Sequence, residues 1–301
     1  MKGAAVSDLN YGKCTLCARN CGVNRYTAPG ACKMNNQPTV SRAALHFWEE
    51  PIISGTRGSG TIFFAGCSLS CVYCQNYRIS RGGAGKPVSH SELVDMMLRL
   101  QSEGAHNVNF VTPTHFAPSV AEAISIAKAK GLNIPVVYNT GGYDNIATLR
   151  ALEGLVDIYL PDLKYYLPKT AAAYSNAPDY PSVAREAIAE MVRQSGKPVI
   201  ENGIMKRGTL VRILLLPVHI AEAKLSLKYL YSTYGDDIYV SLMNQYTPMP
   251  NMNPPLDRRV TAEEYRQLTD YADRLGITNC FVQEFGTASE SFIPDFDLTG
   301  V

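Results

Sequence analysis

Short apolar runs of four to seven residues recur along the chain from residue 61 onward. They are rich in β-branched and aromatic side chains and are bounded by polar segments, which is the pattern of buried strands. Seven strands are therefore predicted, at residues 61–65, 108–111, 134–138, 156–160, 210–216, 238–242 and 280–284.

Helix signals fall between these strands. A Ser or Thr followed three residues later by Glu is a capping box, in which each side chain caps a backbone N–H near the helix start. Glycines that follow periodic segments mark helix ends. Capping boxes are predicted at Ser89 with Glu92, Ser119 with Glu122 and Thr261 with Glu264, helix ends at Gly104, Gly131 and Gly276, and a further helix at residues 184–194.

Strand and helix alternate about six times, which predicts a parallel sheet with right-handed crossovers. The chain turns polar or glycine-rich after successive strands, and such a rim is typical of barrel-type α/β folds. An open doubly wound sheet would gather these residues near one switch point. The spread favours a barrel or partial barrel, with polar rim segments at 66–67, 112–115, 139–142, 162–164, 219, 244–246 and 284.

The first 60 residues stand outside this repeat. They hold four cysteines and few apolar side chains, and a glycine-rich stretch at residues 54–60 follows. We therefore predict two parts, a cysteine-rich N-terminal module at residues 1–53 and a barrel with a C-terminal tail at residues 54–301.

Charge and composition exclude some functions. The 301 residues carry 28 Lys and Arg against 27 Asp and Glu, and no basic run is present, so neither nucleic acid nor a membrane is expected as a partner. No signal peptide or membrane-length apolar stretch is evident, so a cytoplasmic protein is expected. In a reducing compartment, clustered cysteines are more often metal ligands or catalytic groups than disulfides.

Three of the eight cysteines, Cys67, Cys71 and Cys74, directly follow the first predicted strand with the spacing C-x3-C-x2-C. A structural zinc site normally needs four protein ligands, so zinc would have to borrow a distant residue such as Cys280. A redox pair of Cys71 and Cys74 would leave Cys67 unexplained. A four-iron cluster held by three cysteines would keep one iron free for a non-protein ligand, and this interpretation is favoured over zinc or a purely structural role.

A second group has a complete set of four thiols. Because four thiolates close a metal site, this group should be structural or relay electrons, and both zinc and a second [4Fe–4S] cluster fit it. A module of this size with few apolar side chains needs a metal to hold its fold. Its members are Cys14, Cys17, Cys21 and Cys32.

The segment from Gly58 to Tyr77, which contains the three cysteines, resembles the core motif of radical S-adenosylmethionine (radical SAM) enzymes. Tyr73, an aromatic residue just before the last cysteine, adds to the likeness. More narrowly the chain resembles pyruvate formate-lyase activating-enzyme-like proteins, in the branch with an extra N-terminal cysteine motif. Further likeness lies in Cys14 to Arg25, in Glu49-Glu50-Pro51, in Pro161 to Tyr165 and in Asn244-Gln245-Tyr246.

This resemblance implies a partial (β/α)6 barrel of the TIM-like radical SAM type. It also implies a [4Fe–4S] cluster on Cys67, Cys71 and Cys74, whose fourth iron is chelated by S-adenosylmethionine. One electron into the cluster then yields methionine and a 5′-deoxyadenosyl radical that abstracts hydrogen from the substrate. An electron donor of the flavodoxin or ferredoxin type is implied as a partner.

The resemblance also implies roles for residues at the strand ends. Asp162 and Lys164 match an element that holds S-adenosylmethionine, against the simpler interpretation of an exposed ion pair. The third-strand turn Asn139, Thr140 and Gly141 matches a cofactor-contacting element, against a plain turn, and Tyr73 belongs to the cofactor-binding set. His115 stands where many relatives carry a Gly-Gly-Glu stretch. Candidate catalytic residues are His115, Gln245 and Glu284.

The function implied is hydrogen abstraction from a protein or peptide, with activation of a glycyl-radical enzyme as one form of it. Radical modification of a peptide or small metabolite without such a partner is a second hypothesis. A metal-binding sensor or scaffold without radical chemistry is a third.

Overall fold

The computed structural model describes residues 9–81, 83–284 and 293–301. Ten strands of this part of the chain form one mixed sheet, in the order β10-β9-β8-β6-β5-β4-β2-β1-β3, with β7 paired to β8. The sheet is open, because its path ends at β10 on one side and at β3 on the other. The fold is thus mixed α/β with a parallel sheet, as predicted, and takes the form of a partial barrel.

The central strands all run parallel to one another. Most are buried on both faces, which is why they read as nearly continuous apolar runs in the sequence. They are β2 (Ser59–Phe64), β4 (Val108–Val111), β5 (Val136–Thr140), β6 (Ile158–Pro161), β8 (Ile204–Leu214), β9 (Tyr239–Met243) and β10 (Cys280–Val282). Each of the seven predicted strands is confirmed, with shifts of a few residues at its ends.

Three antiparallel strands were not predicted. β1 (Thr39–His46) pairs with β2, and β3 (Lys86–Pro87) pairs with β1. β7 (Val199–Glu201) pairs with the start of β8. The sheet therefore begins at residue 39, inside the range 1–53 assigned to the N-terminal module, and the division of the chain at residue 53 stays a prediction.

Helices connect the strands. Within the described ranges they are α1 (Pro51–Ser54), α2 (Tyr77–Ser80), α3 (His90–Ser102), α4 (Ala117–Ala129), α5 (Ile146–Ala151), α6 (Pro168–Ser175), α7 (Tyr180–Ser195), α8 (Ile220–Tyr234) and α9 (Ala262–Leu275). The short helices α1 and α2 contribute residues to the cavity described below. None of the helices described has the length and apolar character needed to cross a membrane.

Two of the three predicted capping boxes are confirmed. Ser89 with Glu92 starts α3, and Thr261 with Glu264 starts α9. The box predicted at Ser119 is wrong, because α4 begins two residues earlier and Ser119 lies inside it. Its hydroxyl is instead 3.0 Å from the hydroxyl of Tyr11. A long-range contact with the N-terminal segment thus uses the side chain that the local pattern assigned to a cap.

The N-terminal segment lies against the carboxyl ends of the strands. Cys17 forms an isolated bridge with Asp144, which follows β5. Arg25 is fully buried and donates from Nη1 to the carbonyl of His115, which follows β4. Since the active rim of a parallel barrel is built from these same strand ends, the cysteine-rich segment is positioned beside the site rather than on the opposite end.

Candidate functional site

A cavity of about 660 Å³ opens at the carboxyl ends of the parallel strands. It collects side chains that are far apart in the sequence, because parallel strands deliver their ends to one edge of the sheet. Thiols, carboxylates and two cations share it, and the predicted residues that line it are Cys67, Cys71, Tyr73, Cys74, Asn139, Thr140, Gly141, Asp162, Lys164, Gln245 and Glu284.

The three thiols sit on the loop that leaves β2. The Cys67 thiol accepts a hydrogen bond from the backbone N–H of Leu69 at 3.4 Å. The hydroxyl of Ser80, at the end of α2, donates to Cys74 Sγ at 3.4 Å, and the hydroxyl of Ser175 donates to Cys71 Sγ at 2.9 Å. Donors aimed at sulfur stabilise thiolate over thiol and tune a metal centre bound through it.

Burial and the neighbouring thiols favour the protonated form of Cys67 and Cys74. Burial, together with the neighbouring Cys71 and Cys74, raises the pKa of the Cys67 thiol to about 12. Burial, followed by Cys71, also raises the pKa of Cys74. Three mutually repelling thiolates in one low-dielectric loop require a positively charged group to hold them.

The donor set fits an iron–sulfur cluster. In the described ranges no three His, Cys, Asp or Glu side chains converge closely enough to hold a single metal ion. A cluster makes a different demand, because each thiolate binds its own iron. Three soft sulfur donors within eight residues, with hydroxyl and N–H donors on the sulfurs, supply what such a group needs.

Arg212 lies at the centre of a network of charged and amide groups opposite the thiols. Its Nε donates to Asp162 Oδ1 at 2.8 Å, its Nη2 to Asn139 Oδ1 at 2.8 Å and its Nη1 to Glu49 Oε2 at 3.3 Å. Lys164 Nζ donates to Asp162 Oδ2 at 2.5 Å. One guanidinium thereby joins the ends of β5, β6 and β8 to the segment that precedes α1.

The charges of this network stabilise one another. Burial alone would raise the pKa of Asp162, but Arg212 and Lys164 outweigh it and hold that pKa below its usual value. Burial would lower the pKa of Lys164, but Asp162 and then Cys71 raise it well above the ordinary range. Asp162 is therefore a carboxylate and Lys164 an ammonium throughout the physiological range.

The turn after β5 is fitted tightly against β6. A Cβ on Gly142, whose φ is +78°, would lie 2.6 Å from the carbonyl oxygen of Asp162, so only glycine fits. The hydroxyl of Tyr180 is 2.9 Å from the Gly141 carbonyl and 2.8 Å from that of Asp162, and it also accepts the N–H of Lys164 at 2.9 Å. Tyr180 thus fixes the backbone that carries both cavity-facing charges.

Thr140 turns toward the interior. Its hydroxyl donates to Asp144 Oδ2 at 2.8 Å, and Asp144 also accepts from Thr114 and Tyr138 at 2.6 and 3.2 Å. Burial raises the pKa of Asp144, while these three hydroxyls lower it. The group ties the β4 and β5 loops together at the cavity wall.

Tyr73 packs among other tyrosines. Its ring lies 6.2 to 6.3 Å from those of Tyr165, Tyr174 and Tyr246, edge to face in each case. Such pairs add stability beyond the area they bury. Tyr73 is therefore anchored in the core behind the cysteine loop, with one side at the cavity.

The three candidate catalytic residues lie in different settings. Gln245 lines the cavity, and its Oε1 accepts from Gln283 at 3.1 Å; Glu284 lines it as well. His115 is buried outside the cavity, with Nε2 2.8 Å from the carbonyl of Ala65. Burial, aided by the nearby Arg25, lowers the pKa of His115 to about 3, so its ring is neutral. Gln245 and Glu284 therefore lie at the site, whereas His115 does not line the cavity.

The four N-terminal cysteines are close to one another. Burial raises the pKa of Cys17 to about 12, with Cys32 and Cys14 contributing. Burial also raises that of Cys32, where Cys14 and Cys21 add to the shift. The buried Arg25 places Nη1 3.9 Å from Cys14 Sγ, so a cation faces this group as well. These four side chains do not converge closely enough to hold a single metal ion, so a metal at this group stays a prediction.

Sequence reasoning did not assign Arg212, Glu49 or Glu50 to the site. Arg212 stands within the otherwise apolar predicted strand 210–216, and a charged residue in a buried strand is rarely tolerated unless it is paired. Glu49 and Glu50 form an acidic pair directly before Pro51, which opens α1. The charged residue within an apolar run and the acidic pair before a proline were the sequence features that could have identified these residues.

Comparisons with known proteins identify the family of the chain. The family model described as "Radical SAM superfamily" matches residues 61–223, more than half of the chain. An uncharacterized protein of Methanocaldococcus jannaschii is 27% identical over 278 residues, which cover 89% of this chain and 76% of that protein.

Solved structures share the fold. Methylornithine synthase (PylB) superposes with a TM-score of 0.55 at 16% identity, covering 99% of this chain and 82% of that one. SuiB of Streptococcus suis bound to S-adenosylmethionine gives a TM-score of 0.51 at 12% identity, covering 75% of this chain and 52% of that one. SuiB bound to the precursor peptide SuiA gives 0.50 at 12% identity, covering 72% and 46%. The chain spans about half the length of SuiB, and at these identities the likeness concerns the fold alone.

Glu50 offers a pH-dependent test of the cavity's electrostatics. Burial raises its pKa from 4.5 to about 7; Arg212 and the hydroxyl of Ser241 lower it, whereas Glu49 and Asp162 raise it. The folded state thus holds a proton that the unfolded state loses above pH 4.5, and stability falls as pH rises toward 7.

We expect Glu50→Gln to be more stable than the wild type at pH 8, by about 1–3 kcal/mol, with the difference vanishing near pH 4.5. Thermal unfolding across this pH range measures it, and a pH-independent difference would contradict the assignment.

Proposed function

The chain belongs to the radical SAM superfamily, and from that premise we propose that it is an enzyme that abstracts hydrogen from a protein or peptide substrate held in the 660 Å³ cavity. The observation that carries the proposal is the shared cavity, in which three neighbouring thiols face a network of fixed charges around Arg212. Radical chemistry of this kind needs a metal centre and polar groups that bind the cofactor. The three thiols would supply the first and the charged network the second.

Cys67, Cys71 and Cys74 would hold a [4Fe–4S] cluster. Such a cluster, when bound with S-adenosylmethionine, supplies the electron that cleaves the sulfonium and provides a 5′-deoxyadenosyl radical. The hydroxyls of Ser80 and Ser175 would hydrogen-bond the cluster's cysteine sulfurs.

The charged strand ends would hold the amino-acid part of S-adenosylmethionine. The Lys164 ammonium has three N–H donors, of which Asp162 accepts one, so others can bind a carboxylate in the cavity. Asp162 and Asn139 are fixed by Arg212, so their oxygens are preorganised rather than free to rotate. Gly141 leaves room for a close backbone approach, and Tyr73 and Thr140 form the wall behind.

The substrate proposal is a peptide or protein segment. Phe47 and Trp48, with exposed fractions of 49% and 59%, stand at the cavity wall beside Glu49. Exposed aromatic side chains next to a site are typical of surfaces that receive a peptide. The complex of SuiB with the precursor peptide SuiA supports the idea that this fold accommodates a peptide. Gln245 and Glu284, at the same cavity, are the proposed substrate contacts.

The finer family assignment is also a proposal. The cysteine spacing of the N-terminal segment supports membership in the activating-enzyme-like branch, with activation of a glycyl-radical enzyme as the leading form of the reaction. A flavodoxin- or ferredoxin-type donor would supply electrons. The proposed setting is the cytoplasm, supported by eight cysteines that are all free.

Replacement of Cys71 tests the chemistry. In anaerobically reconstituted protein treated with dithionite and S-adenosylmethionine, we expect release of 5′-deoxyadenosine by the wild type and loss of that release in Cys71→Ala, since a cluster ligand is missing. Cys280→Ala is the matched control, because Cys280 in β10 does not line the cavity and its replacement should leave release unchanged. A wild type that binds iron yet releases none would favour a metal-binding scaffold instead.

Replacement of the N-terminal thiols tests the second centre. We expect Cys14→Ser with Cys17→Ser to lower metal content per chain and solubility, because the small segment loses the metal that holds it. Inductively coupled plasma measurement of iron and zinc identifies the metal. An unchanged metal count with full 5′-deoxyadenosine release would show that these thiols bind no metal.

A further inference from the structure

Arg19, which lies between Cys17 and Cys21, contacts the barrel through four hydrogen bonds to backbone carbonyls. They run from Nε to Ser68 at 2.8 Å, from Nη2 to Leu69 at 3.3 Å and to Ser175 at 2.7 Å, and from Nη1 to Asn176 at 2.5 Å. Its guanidinium also lies 5.3 Å from the ring centre of Tyr143. The geometry is that of a fork with several donors in one plane, which arginine provides and lysine does not.

Two of the four carbonyls belong to the three-cysteine loop and two to the end of α6. Ser68 and Leu69 lie between Cys67 and Cys71, and Ser175 is the residue whose hydroxyl donates to Cys71 Sγ. One side chain of the N-terminal segment therefore fixes the backbone before Cys71 together with the residue that hydrogen-bonds its sulfur.

A second contact holds the start of the same loop. A Cβ placed on Gly66, whose φ is +82°, would lie 2.8 Å from the carbonyl oxygen of Cys32 and 2.4 Å from Met34 Cγ. The segment carrying the fourth N-terminal cysteine thus packs directly on the residue that precedes Cys67. Gly66 has no substitute here, since both its backbone conformation and its neighbours exclude a side chain.

The first part of the cysteine loop, residues 66–69, is therefore held by residues of the N-terminal cysteine segment. Arg19 follows Cys17 by two residues and precedes Cys21 by two, so its position depends on how those cysteines are held. Any metal that orders the four thiols would order Arg19 with them.

We propose that Arg19 is a positioning residue through which the N-terminal cysteine group fixes the conformation and electrostatics of the Cys67–Cys71–Cys74 loop. The two cysteine groups then act as one assembly. The inference rests on the proposed cluster at this loop for its electrochemical arm only, because the conformation of the loop is measurable without it.

The test compares Arg19→Ala and Arg19→Lys with Lys13→Ala, which removes an exposed cation from the same segment. Hydrogen–deuterium exchange over residues 67–76 reports the loop, and the midpoint potential of the reduced, anaerobically reconstituted protein reports the centre. We expect Arg19→Ala to speed exchange in the loop by about tenfold or more, since charge-assisted hydrogen bonds are lost. Its potential should fall, because a nearby positive charge stabilises the reduced state. Arg19→Lys should restore most of the potential and little of the exchange protection, and Lys13→Ala should change neither.

Loop exchange and midpoint potential equal to the wild type in a folded Arg19→Ala protein would overturn the inference. If Arg19→Ala does not fold, Arg19→Lys decides, since wild-type loop exchange in that variant is equally contrary. A wild type that binds no iron at Cys67, Cys71 and Cys74 would refute the proposed function while leaving the exchange comparison to judge Arg19.

Discussion

The ion pair between Arg212 and Asp162 sets the geometry of the cavity. Both groups are withdrawn from bulk water, and a buried charge is tolerated only when it is paired and fully hydrogen-bonded. Arg212 meets that condition with Asp162, Asn139 and Glu49, which come from three separate parts of the chain. Removing one partner of such a pair typically costs about 3–5 kcal/mol, so the strand ends are held where the network needs them. The charged groups of the cavity are therefore held in fixed positions, and Lys164 is positioned by its ion pair with Asp162.

Another part of the cavity wall is the loop that carries Cys67, Cys71 and Cys74. Leu69 and Tyr73 anchor the loop after β2 in the core, but its three thiols repel one another as anions. Its conformation is maintained from outside, by hydroxyls of Ser80 and Ser175 and by the N-terminal segment through Arg19. The salt-bridged network around Arg212 and the cysteine loop thus line the same cavity.

Much of this site was accessible from the sequence, because its members carry local signals. The cysteine spacing, the Asp-Leu-Lys element after β6 and the polar turn after β5 identified groups that do line the cavity. Strand runs with β-branched residues gave the parallel sheet, since burial on both faces leaves a plain apolar pattern. The capping box predicted at Ser119 was wrong, because a capping box is a purely local pattern. The Ser119 hydroxyl instead contacts that of Tyr11, which is 108 residues away in the sequence. The antiparallel strands β1 and β3 carry mixed or exposed side chains and lack the apolar signature. Arg19, Arg212 and Glu49 act through contacts 49 to 163 residues distant, which no local pattern encodes.

The electron paramagnetic resonance spectrum of the reduced, anaerobically reconstituted protein, recorded with and without S-adenosylmethionine, tests the central claim most directly. If Cys67, Cys71 and Cys74 hold a cluster with one iron open to the cofactor, adding S-adenosylmethionine changes the spectrum, and Cys71→Ala abolishes that change. A wild-type spectrum that S-adenosylmethionine leaves unaltered would contradict the account.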